Sequence, residues 1–121
     1  MIDYVTLNVS DLQVCQAFYT AALRPLGYEL MMEYLEGCGF GAGGKPDFFL
    51  AQRGEQSGPV HVALHGPDRS TVDAFHEAAL AAGGTDNGPP GVRRVYHEHY
   101  YGAYVLDPEG NNIEAVTHDP E

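Results

Sequence analysis

The sequence predicts an α+β fold of two tandem βαβββ modules with mixed, curled sheets that form a cupped cavity. Three observations carry this reading. The chain repeats itself: "YVTLNVSD" at Tyr4 returns as "HVALHGPD" at His61, with Val5 and Val62, Leu7 and Leu64, and Asp11 and Asp68 each 57 positions apart. The match runs on without a gap through Ala17 and Ala74, Phe18 and Phe75, and Gly27 and Gly84. Each copy opens with two-residue alternation, continues with a helical apolar stripe that stops at glycine, and leaves room for about three further strands.

In the first copy, Val5, Leu7 and Val9 share one strand face, and Tyr4, Thr6 and Asn8 share the other. Ser10 with Gln13 has capping-box spacing, which predicts a helix start there. Cys15, Phe18 and Ala22 form the helical stripe, and Gly27 ends it. Strands are expected over Tyr28–Leu35, a Gly-rich passage around Phe40, and "DFFLAQ" at Asp47–Gln52. The glycines of 37–44 are not a phosphate loop, since no Lys-Ser/Thr pair follows them, and are expected instead to form a mobile loop at a cavity rim. The boundaries are 1–53 for the first module, 54–59 for a linker and 60–121 for the second module.

In the second copy, Val62 and Leu64 oppose His61, Ala63 and His65. Pro67-Asp68 marks the helix start, and Val72, Phe75 and Ala79 repeat the stripe. Strands are expected over "VRRVYHEHY", "YGAYVLD" and "NNIEAVTH". "DPEGN" (Asp107–Asn111) suits a type I turn with glycine at the left-handed position. That turn places Tyr104 across from Glu114, with Tyr100 and Gly102 on the same face. A turn one residue tighter would instead place Ala103, Tyr101 and His99 beside Glu114.

Composition bounds the function. Seventeen acids against six bases give a formal charge of −11, which argues against a nucleic-acid partner. No apolar run approaches the roughly 18 residues of a membrane span, and no signal peptide is visible. Cys15 and Cys38 are too few for a disulfide scaffold. A cytoplasmic protein is expected, with no membrane partner. Sheets with open edges also predict a homodimer.

Three stretches, "IDYVTLNVSDLQVCQAFYTAALRPLGYEL", "PVHVALHGPDRSTVDAFHEAALAAGG" and "YYGAYVLDPEGNNIEAV", cover most of the chain in order. Through them the sequence resembles the vicinal oxygen chelate superfamily: glyoxalase I, bleomycin-resistance proteins and extradiol dioxygenases. The resemblance implies paired modules around one cavity, within or across chains, and a metal that chelates two adjacent substrate oxygens. It implies metal ligands at the first and last strands of each half, here Tyr4, His61 and Glu114. Aligning Ala51 with Ala115 adds Leu50 as the fourth position, and a register shift of two would offer Gln52. His61 and Glu114 alone are good ligands, so a divalent metal is expected to bind weakly or not at all.

Glu114 sits in an otherwise apolar strand, where a carboxylate needs a partner or a cavity. It is the candidate general base, with His61 beside it. Tyr4, Leu50, Gln52, Tyr100, Tyr104, His97 and His99 are the candidate pocket residues. Two functions follow as expectations. One is a glyoxalase-like lyase or isomerase, and the other is a non-catalytic protein that sequesters a small molecule.

Overall fold

The computed structural model describes residues 1–56 and 58–120. In the first module, β1 (Val5–Asn8) leads into α1 (Leu12–Ala22) and a short 3-10 turn, Arg24–Leu26. Then come β2 (Glu29–Tyr34), β3 (Gly37–Ala42) and β4 (Lys45–Ala51). In the second, β5 (His61–His65) leads into α2 (Arg69–Ala81), followed by β6 (Thr85–Val92), β7 (Tyr101–Leu106) and β8 (Asn112–Thr117). The linker expected at 54–59 includes residue 57, which lies outside the described residues, as does the terminal residue 121.

Each module folds as a four-stranded sheet with one helix. The strand orders are β1-β4-β3-β2 and β5-β8-β7-β6. In both sheets the first strand lies parallel to the last, and the remaining neighbours run antiparallel. The sheets are therefore mixed, and β1, β2, β5 and β6 are edges.

The helices start where the repeat places an acid. Asp11 accepts from the Val14 amide and Asp68 from the Thr71 amide, caps that contribute about 1 kcal/mol each. The capping box expected at Ser10 does not form. Ser10 instead donates its hydroxyl to Glu109 Oε2 at 2.8 Å and its amide to Oε1 at 3.0 Å. The first module is thereby tied to the β7–β8 turn of the second. Tyr19 on α1 reinforces the tie by donating its hydroxyl to Asp107 Oδ2 in the same turn.

Apolar burial joins the halves. Phe18, Tyr19, Phe40, Phe48 and Leu50 lie in one continuous core with Val72, Phe75, Val105 and Ile113, and α1 packs on α2. Among the described residues no helix is long and apolar enough to cross a membrane.

Two stretches differ from their expected form. β6 runs through "TDNGPPGV", and the "HEHY" region folds as turns rather than a strand. Pro89 and Pro90 are tolerated because β6 is an edge strand whose pairing with β7 shifts register twice there. The glycines of "GCGFGA" form β3, not a rim loop, with Cys38 and Phe40 turned into the core.

Candidate functional site

The polar part of the site grows from β5, β7 and β8. Tyr104 stands across the ladder from Glu114, the register that the Asp107–Asn111 turn predicts. That turn closes through Asp107 N to Asn111 O at 2.9 Å. Glu114 is fully buried, and both of its oxygens are engaged. Oε1 lies 2.7 Å from His61 Nε2, and Oε2 accepts the Tyr100 hydroxyl. Burial first, then the hydrogen bond to Glu114, hold the Tyr100 phenol well above its ordinary range, so it stays a donor. Tyr104 is raised as well, again mainly by burial.

Gly102 makes the arrangement possible. A Cβ there would sit 3.2 Å from Glu114 Oε2 and 3.3 Å from Tyr100 Cε1. Arg93 lies over the Tyr104 ring, 5.4 Å from its centroid, and donates to Pro89 O.

The equivalent wall of the first module is aromatic. Val5 pairs with Phe48, and Val62 pairs with Ile113. The repeat therefore superposes Phe49, not Leu50, on Glu114. Leu50 faces the opposite side, fully buried in the core with Leu7. Gln52 likewise turns toward the helix, where its side-chain oxygen accepts the Leu12 amide at 2.7 Å. Tyr4 and Phe49 meet edge to face, ring centroids 5.2 Å apart. Phe49 packs over Gly39, where a Cβ would come within 2.6 Å of its ring.

Tyr4 and His61 line one groove of about 440 Å³, with Tyr28 and Asp47 on the first module and Ala63 and His65 on the second. Glu114 lies behind His61. A larger recess of about 850 Å³ runs along α1, lined by Gln13, Gln16, Arg24, Glu33 and Gln52 among others. It contains none of the His61–Glu114–Tyr100 group, so volume alone does not locate the chemistry.

His97 and His99 are in the turns that follow β6, rings 6.0 Å apart. They reach the site only through neighbours: His118 packs on both His97 and Tyr100. His97 Nδ1 accepts the His99 amide, and His99 contacts Glu98. Sequence reasoning missed Phe49, His118 and the room left by Gly102. The signal for Phe49 was the pairing of first and last strands, which fixes register better than matching one alanine to another.

The donors do not fit a resident metal. The four symmetry-related positions are Tyr4, Phe49, His61 and Glu114, whether the modules pair within one chain or across two. Phenylalanine supplies no donor, and a phenol must lose its proton to bind. Both Glu114 oxygens are taken by side chains of the same wall. Among the described residues no group of three or more His, Cys, Asp or Glu is placed to hold an ion.

The family model described as a glyoxalase-like domain matches residues 4–116. Solved structures agree in fold. A glyoxalase/bleomycin resistance protein from Albidiferax ferrireducens T118 is 29% identical, with 95% of this chain and 96% of that one covered at a TM-score of 0.81. A glyoxalase/bleomycin resistance protein/dioxygenase family enzyme from Burkholderia phytofirmans PsJN is 21% identical, with 98% of each chain covered at 0.77. A lactoylglutathione lyase from Agrobacterium tumefaciens is 20% identical, with 97% of this chain and 92% of that one covered at 0.74. No curated protein matches the sequence.

Proposed function

The chain belongs to the glyoxalase-like domain family, and from that premise we propose that it holds a small, partly aromatic organic molecule between two unlike walls, without a resident metal. One observation carries this reading. Where the second module presents the hydrogen-bonded His61–Glu114 pair, the first presents the Tyr4–Phe49 ring pair. A flat apolar ligand surface gains by stacking on Tyr4, which lines the groove and is held edge to face by Phe49 behind it, and its polar end meets His61. The test is thermal stabilisation by a panel of planar aromatic compounds, with and without EDTA. The reading expects stabilisation that EDTA leaves unchanged and that Tyr4→Ala with Phe49→Ala reduces. Stabilisation that appears only with added metal would overturn it.

A second reading, a lyase or isomerase that moves a proton, is favoured by the His61–Glu114 pair itself. A homodimer fits both readings, because the edge strands β1, β2, β5 and β6 offer unpaired backbone groups to a second copy. Light scattering that gives the 13.1 kDa monomer mass at tens of micromolar would exclude the dimer.

A further inference from the structure

We propose that His61 Nδ1 is the atom that meets the ligand, as its hydrogen-bond and proton acceptor, and that Glu114 and Tyr100 are positioning residues that hold it in that role. This rests on the reading above, that the groove lined by Tyr4 and His61 takes a small molecule. It reverses the roles expected from the sequence, in which Glu114 was the base.

Glu114 is buried, and its Oε2 already accepts a hydrogen bond from the Tyr100 hydroxyl. With Tyr100 donating to one oxygen, the other lies 2.7 Å from the ring, placed to accept from the imidazole through Nε2–H. In a neutral ring that leaves the lone pair on Nδ1. The His61 side chain is 52% exposed and that of Glu114 only 1%. His61 lines the groove, and Glu114 does not. For Glu114 to touch a ligand, two hydrogen bonds must break. For Nδ1 to touch one, none must. Tyr104 flanks the His61 ring, centroids 6.1 Å apart.

The chemistry follows. A ligand X–H gives its proton to Nδ1, the electron pair of the X–H bond stays on X, and the imidazolium is balanced by the Glu114 carboxylate. Where the proton stays on X and is only shared with Nδ1 as a hydrogen bond, the event is binding. Return of the proton to a neighbouring atom is an isomerisation, and no further reactant is needed. The ligand class is a neutral planar ring carrying an N–H or O–H donor. Anions are disfavoured, because the wall carries a carboxylate, Arg93 is engaged with Pro89 and Tyr104, and the chain carries a formal charge of −11.

The experiment has two independent arms. The first is ring-nitrogen NMR of ¹⁵N-labelled full-length protein at pH 8. The wild type should show His61 as the Nε2–H tautomer. Glu114→Gln, whose amide can donate to Nε2, should shift it toward Nδ1–H. Tyr100→Phe should retain the wild-type tautomer. A wild-type Nδ1–H tautomer, or one that Glu114→Gln leaves unchanged, overturns the proposal, and the wild-type spectrum decides even if Glu114→Gln fails to fold. The second arm compares indole with 1-methylindole, which lacks the donor. The chain holds no Trp, so indole fluorescence reads binding directly. Indole should bind at least about tenfold tighter, and the ratio should fall to about one in His61→Phe. Equal affinities in the wild type overturn the ligand class. If neither compound binds while the tautomer is as expected, the pocket reading falls and the orientation of His61 by Glu114 stands.

Discussion

Tyr4 and Phe49 meet edge to face, ring centroids 5.2 Å apart, at the two positions that His61 and Glu114 occupy in the other module. The duplicated fold has kept the geometry of the pair while its chemistry has parted. One copy presents a ring pair, and the other a hydrogen-bonded imidazole and carboxylate.

That relationship predicts that a metal site can be built by substitution. Tyr4→His together with Phe49→Glu supplies the two missing donors, and titration calorimetry should show zinc or nickel affinity rising at least about 100-fold over the parent, a gain of the size expected when two water ligands give way to protein ones. Tyr4→His alone should give a smaller rise. Unchanged affinity in the double variant would mean that the two walls do not face one site.

Gly102→Ala should damage the polar wall specifically. The new methyl meets Glu114 Oε2 at 3.2 Å and Tyr100 at 3.3 Å, and crowding of this kind costs about 1–3 kcal/mol. Urea unfolding reads the stability, and the His61 ring resonances should move. Unaltered His61 resonances would show that the carboxylate has room to retreat.

Phe18 on α1 and Phe75 on α2 are buried at matching positions of the repeat. Alanine at either should cost about 3–5 kcal/mol in denaturant melts. A loss under 1 kcal/mol at either would contradict the shared core.

Stability should fall at alkaline pH. Burial, and then nearby acids, push the Cys15 thiol up to about 12 and the Cys38 thiol up to about 11 from an ordinary 9.0. Burial, and then the bond to Asp47, push Tyr28 up to about 12 from 10.0. The folded chain keeps protons that the unfolded chain releases, so the contribution is complete below about pH 9 and is lost as pH rises toward 12. Unfolding free energy should decline from about pH 9, more steeply beyond 10, and Cys15→Ala with Cys38→Ala should flatten the first part. Constant stability up to pH 11 would contradict the buried thiols.

The architecture was legible because a repeat is a global signal. It marks both β-to-helix starts at once, and Asp11 and Asp68 turn out to cap equivalent helices. The turn residues Asp107 and Gly110 also fixed the partner of Glu114, since turn geometry sets hairpin register. Three features were hidden. β6 passes through "GPPG", whose local preference is for turns and which only an edge position tolerates. "HEHY" alternates like a strand but folds as turns ahead of β7. Phe49 was missed for Leu50 because a one-residue slip exchanges the faces of a strand, and in β4 both faces are apolar. At Glu114 the lone charge removed that ambiguity.

Elemental analysis of the dialysed protein, purified without chelator, decides whether the two walls make an organic-ligand site or a metal centre. An organic-ligand site leaves well under one equivalent of any transition metal, unchanged in Glu114→Ala. Near-stoichiometric metal that survives dialysis and is lost in Glu114→Ala would contradict it.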